Sequence, residues 1–289
     1  MYQLMCLLSG VLLAFVITTN GTLTAYYGAY VGSVIVHIVG TLGSYIYMKA
    51  AKQTCRSAEK LPVWMYAGGI IGIATTVFQS VAFVHLGATA VMALSLFGQT
   101  ATSLVVDGLG LFGMEKRPVG KGTMLGVLVS LCGIGYMMLG AGDMQAVSLL
   151  MAIAAGVSAV FSRLTNAQLS LRTSAAGSTF TNHWVGLVGS VLLMFVAEPD
   201  IIGCLQGAAA PVWAFGGGII AVGMITLWNV AGPKVSAFRL TLLSFVGQVF
   251  MGILIDVFIG NGFSKQIFIG GGFVVVGVLL NMMMEKEKA

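Results

Sequence analysis

The chain has 289 residues, of which 58% are apolar and only 8% charged, and its mean hydropathy is +0.98. A soluble domain carries charge on roughly a quarter of its residues, so this composition excludes a water-soluble enzyme and points to an integral membrane protein. The formal net charge of +5 comes from loop residues and is no nucleic-acid patch.

A helix needs about 20 mostly apolar residues to cross the hydrocarbon layer. Between polar breaks the sequence offers ten candidates: residues 4–19, 28–48, 62–84, 88–111, 121–140, 147–165, 174–197, 210–232, 236–260 and 265–284. The breaks carry turn chemistry or charge, as in KAAKQTCRSAEKLP after the second and MEKRPVGK after the fourth. The first segment lacks the basic n-region of a signal peptide and has a counterpart later in the chain, so it is expected to be a span. No connection is long enough to fold by itself, so no soluble catalytic or nucleotide-binding domain is expected. Cys6, Cys55, Cys132 and Cys204 have neither metal nor redox spacing. No glycine run carries the Lys-Ser/Thr of a phosphate loop, and no HExxH, paired catalytic carboxylates or nucleophile motif appears. Neither an enzyme nor a bound metal or cofactor is expected.

With ten spans, every Lys and Arg except Lys265 falls on the side that holds both termini. Basic residues mark the cytoplasmic side, which predicts cytoplasmic termini and an inner-membrane protein. Arg163, near the end of its segment, is expected to snorkel toward that side.

The chain also repeats itself. SGVLLAFVITTNGTL (9–23) lies over AGVSAVFSRLTNAQL (155–169), HIVGTLGS (37–44) over HWVGLVGS (183–190), and PVWMYAGGII (62–71) over PVWAFGGGII (211–220). SLFGQTATSLVVDG (95–108) returns as SFVGQVFMGILIDV (244–257). Two repeats, 1–143 and 144–289, therefore hold five spans each. An odd count inserts the second half the other way up, giving an inverted-topology repeat.

Ten short spans in five-plus-five form resemble the drug/metabolite transporter superfamily. The spacing of Gly98-Gln99…Asp107 and Gly247-Gln248…Asp256 is similar to one branch, the YdcZ-like family of bacterial inner-membrane exporters. The asparagines after the first and sixth segments and the glycines after His37 and His183 fit the same pattern. That family often has a Gln four residues before the Asn, where this chain has Val16 and Ser162. The resemblance implies a transporter, an outward direction of transport, and peripheral fifth and tenth spans, without naming a cargo.

Polar residues inside the spans are the candidate site. Gln99 and Gln248 fall near mid-membrane and must face protein or a water-filled cavity, either as glue between helices or as the wall of a midplane site; the site is the preferred reading. Ser95 and Ser244 lie one turn earlier on the same faces. Asn20 and Asn166 are expected to cap or turn the chain, or to join the site. Gln79 and Ser80, matched by Trp228 and Asn229, add polar or aromatic surface, and Trp64 and Trp213 read as interface anchors. Asp107 lies about 12 Å along the helix from Gln99, with Lys116 nine residues on, and Asp256 precedes Lys265 by the same interval. These pairs read as clamps across helix turns or as proton-coupling carboxylates, the clamp being preferred. His37 and His183 read as neutral histidines hydrogen-bonded between helices or as proton carriers.

The expectation is an all-α, ten-span secondary transporter, an exporter of a small metabolite or drug-like molecule working by alternating access. The alternative is a channel or facilitator. Expected partners are the substrate and the lipid bilayer but no nucleic acid, with proton or ion coupling and a homodimer left open.

Overall fold

The computed structural model describes residues 1–113, 116, 121–139, 146–207, 209–259, 265, 269–270, 272–273, 276–277 and 280. The main elements are α1 (Tyr2–Ala50), α2 (Gly68–Leu109), α3 (Lys121–Met138), α4 (Ala146–Arg172), α5 (Ala175–Ala197), the short α6 (Ile201–Gln206), α7 (Gly217–Ala231) and α8 (Ala237–Ile259), and among the described residues there is no strand. Four stretches are long and apolar enough to cross a membrane: Tyr2–Ala50, Val147–Arg172, Ala175–Ala197 and Val212–Lys234. The tenth expected segment, 265–284, lies mostly outside the described residues.

Two helical runs are too long for one crossing. Tyr2–Ala50 breaks at Gly28, whose φ of 77° and ψ of 165° suit a residue without a Cβ. Gly68–Leu109 also doubles back. Ser162 Oγ donates to the Gly68 carbonyl (2.8 Å), and the next residue, Arg163, donates from Nη1 to Gln99 Oε1 (3.0 Å). A straight helix would hold Gly68 and Gln99 about 46 Å apart. Ala82, Val91 and Leu94 of α2 share an apolar cluster with Ala152 of α4. Gly110 then ends α2 in the left-handed region, at φ 68°.

The first arm of α1 reaches Tyr27, well past the expected end at residue 19. The run TTNGT is helical, with Thr18, Thr19 and Thr22 turning their hydroxyls back onto the carbonyls of Ala14, Phe15 and Thr18. Likewise α4 continues to Arg172. Asn20 and Asn166 are thus inside helices, which corrects the expectation that they cap or turn the chain.

The chain halves do not form separate bundles. α2 packs most extensively on α4, and α1 on α7, α8 and α5. The closest approaches come in pairs. A Cβ on Gly10 would strike the Ser244 carbonyl, and one on Gly156 the Ser95 carbonyl. Gly98 meets the Ile153 carbonyl, and Gly247 meets that of Leu7. Gly68 packs on the Asn166 side chain, and Gly217 on Thr19 and Asn20. Each second contact joins the repeat counterparts of the first.

Candidate functional site: a polar cavity between the halves

Where α1, α2, α4, α5 and α7 converge, they enclose a cavity of about 100 Å³. Of the expected site residues, Asn20, Gln79, Ser95, Gln99, Asn166 and Trp228 line it, and so do His37 and His183. Ser244, Gln248 and Asn229 do not border it, although all three are buried. Val16 and Ser162, the positions before the asparagines, also form its wall.

Arg163 organises one side. It is only 6% exposed, which corrects the snorkelling expectation. The expected span ended at residue 165, but α4 runs to Arg172, so Arg163 lies about 14 Å inside the helix end, beyond the reach of its own stem. Nη1 donates to Gln99 Oε1 and Nη2 to Thr241 Oγ1 (2.8 Å). The guanidinium carbon sits 5.1 Å from the Trp228 ring centroid, within cation–π range.

Both partners are themselves anchored. Gln99 Nε2 donates to Ser95 Oγ (3.3 Å), one turn back on the same face. Thr241 Oγ1 lies 2.9 Å from Ser103 Oγ. The Trp228 indole N–H donates to Ser9 Oγ (2.9 Å), Ser9 donates to the Cys6 carbonyl (2.7 Å), and Ser244 Oγ is 3.0 Å from Ser9 Oγ. With the Ser9 proton committed to Cys6, Ser244 is the donor of that last bond. Ser244 therefore supports the Trp228 wall from behind.

His37 and His183 face each other across the junction of α1 and α5, with ring centroids 5.8 Å apart and an edge-on angle of 64°. Each ring lies against a glycine of the opposite helix: a Cβ on Gly40 would strike His183, and one on Gly186 would strike His37. All four ring nitrogens are buried without a hydrogen-bond partner among the described residues. That corrects the expectation of hydrogen-bonded interhelical histidines. Two glycines let the rings pack edge-on between the two helices, and both histidines border the cavity. Asn166 Nδ2 donates to Asn182 Oδ1 (2.7 Å) nearby.

Asn229 is tied to α5 through the Ala175 carbonyl (3.2 Å) and Thr179 Oγ1 (3.0 Å). Asp107 is buried, and its two carboxylate oxygens accept from the backbone N–H of Ala237 (3.0 Å) and Phe238 (2.9 Å). These are unsatisfied donors of the α8 N-terminus, where negative charge is favoured. The aspartate at the end of α2 thus caps a helix of the other half, a role not foreseen from its spacing to Lys116, whose side chain is exposed. The Asp256 side chain lies outside the described residues.

Arg163 was misjudged from sequence, and Asn182, Ser9 and Thr241 were not singled out. Their repeat counterparts are Ile17, Val36, Ala155 and Met92, so symmetry gave no signal for them. A polar residue replacing an apolar counterpart was itself the available clue. Among the described residues, no group of His, Cys, Asp and Glu could hold a metal ion.

No curated protein matches the chain. A solved structure described only as the crystal structure of a protein superposes with a TM-score of 0.68, covering 99% of this chain and 96% of its own, at 16% identity. That likeness concerns the fold alone. The model of the family described as "Putative inner membrane exporter, YdcZ" matches residues 1–136 and 147–280, and the chain belongs to that family.

Proposed function

We propose that the protein is a secondary transporter that exports a small molecule by alternating access, with ten spans in two inverted five-helix repeats. The observation that carries this reading is the pairing of contacts around the cavity. Gly10 on Ser244 is repeated as Gly156 on Ser95, and Gly40 on His183 as Gly186 on His37. Such paired interfaces let two inverted repeats exchange conformations, which turns an inward-facing site outward. The cavity lies where those interfaces meet, and both termini are cytoplasmic in this reading.

The His37–His183 contact is the proposed proton-responsive element. Protonating both rings would set like charges about 6 Å apart in a poorly screened interior, and would push α1 and α5 apart. Asp107, already occupied as a helix cap, is given the structural role. Replacing either histidine with Asn should flatten the pH dependence of transport measured in proteoliposomes. An unchanged pH profile in the double variant would exclude the pair from coupling.

The central test uses single cysteines at Thr76 and Gln99, both in the cavity wall, in a background freed of the native cysteines. Membrane-impermeant reagents are applied from either side. Alternating access predicts that labelling from one side falls as labelling from the other rises when a substrate gradient is imposed. Labelling from both sides at once, unaffected by the gradient, would identify a channel or facilitator.

A further inference from the structure

Among the described residues the charge in the cavity has no countercharge. Arg163 is the one charged lining residue among them, and none of their Asp or Glu borders it. Both hydrogen bonds of the guanidinium go to neutral acceptors, Gln99 and Thr241. Of its five N–H donors, three remain. Gln99 and Thr241 hold two of its arms, and Trp228 covers a face, so the direction of the remaining donors is set before anything binds. Nearby, His37 and His183 line the same cavity.

A buried cation without a countercharge is disfavoured in a low-dielectric interior. Chains that keep one deep in a span generally use it on the path of substrate or ion. The guanidinium fork also matches the oxygen pair of a carboxylate or phosphonate. We propose that the cavity binds the oxyanion head of a small organic acid, with Arg163 as its countercharge and Gln99, Thr241 and Trp228 as positioning residues. This inference rests on the transporter reading above and names its substrate class.

Two consequences follow from the physics. A single water needs about 10–15 Å³ of cavity space, so a cavity of about 100 Å³ takes a small head group in this conformation. Moreover, the loaded site is neutral and the empty site carries an unpaired charge. Reorientation of the loaded protein is therefore the easier step, and exchange of anion for anion outpaces net efflux.

The test begins with the purified protein in lipid nanodiscs in chloride-free buffer. Thermal unfolding is followed against propionate, methylphosphonate, propionamide and propylammonium, four probes of similar size and different charge. The two anions should raise the midpoint saturably while the amide and the ammonium do not. Arg163→Gln should weaken the apparent anion affinity roughly tenfold or more, with Arg163→Lys intermediate. Equal responses to amide, ammonium and anion, no response to either anion, or an anion response unchanged in R163Q would each overturn the inference. If R163Q does not fold, the contrast among the probes on the unmodified protein decides. Counterflow of radiolabelled methylphosphonate in proteoliposomes then separates the two readings. Anion binding without counterflow leaves the anion site standing and sinks the transporter. Carriage of a neutral or cationic solute at an unchanged rate in R163Q does the reverse.

Discussion

The two halves agree in their backbone contacts and disagree in what they place in the cavity. Gly10 and Gly156, Gly98 and Gly247, and Gly40 and Gly186 all make matching close approaches. At the cavity the pairs diverge: Ile17 answers Arg163, Val36 answers Asn182, Val16 answers Ser162, and Gln79 answers Trp228. Gln99 and Gln248 show the consequence. Both are buried, yet only Gln99 has an arginine to hold and only Gln99 faces the cavity. A repeat must keep its packing surfaces alike if its halves are to trade conformations. The ligand has no such symmetry, so the polar lining is free to diverge, and the second half supplies the charge.

The strongest way to break this comparison is through the scaffold. Gly10→Ala and Gly156→Ala each drive a methyl group into a backbone carbonyl, which cannot swing aside as a side chain can. Each should cost about 2–3 kcal/mol, read as a fall in the thermal unfolding midpoint in detergent. The two losses should be similar. A large loss in one and none in the other would show that the interfaces are not equivalent.

The lining should respond unequally. Gln99→Ala removes the Oε1 acceptor of a buried guanidinium, a charge-assisted bond worth about 1.5–3 kcal/mol. Substrate affinity should fall roughly tenfold or more. Gln248→Ala, made in parallel, should change affinity less than about threefold, because Gln248 does not border the cavity. Equal effects of the two on equilibrium binding would erase the asymmetry.

The smallest expected effect concerns Asp107. Its replacement by Ala leaves the Ala237 and Phe238 amides unpaired and should lower stability by about 1 kcal/mol, the usual cost of losing a helix cap. Asn should lose less, since one oxygen remains to accept. The pH dependence of transport should be unchanged in both variants. A flattened profile in Asp107→Asn would return the aspartate to the coupling mechanism.

Much of the architecture was legible because its signals are local or periodic. Hydropathy marked the long apolar helices, and internal repetition paired His37 with His183 before their contact was known. The errors arose where hydrogen bonding and packing override those signals. The stretch Thr18–Thr22 looked like a polar break, but it is helical, with its hydroxyls bonded to the preceding turn. Arg163 looked like an end-of-span snorkel because α4 runs on past the expected end to Arg172. Asp107 reads in sequence as one end of a clamp to Lys116, and the amides of α8 as its partners were not legible there.

By itself the sequence determined the solvent in which this chain folds, the repeat, and which polar residues had to be shielded from lipid. Those follow from the cost of exposing polar groups to hydrocarbon, which any window of sequence records. Only the tertiary structure decided which shielded groups meet. The Arg163–Gln99 and Arg163–Thr241 bonds join residues of three different helices. The His37–His183 contact depends on glycines supplied by opposite halves. Partner choice at that range is set by how helices cross, and that is a property of the packed molecule.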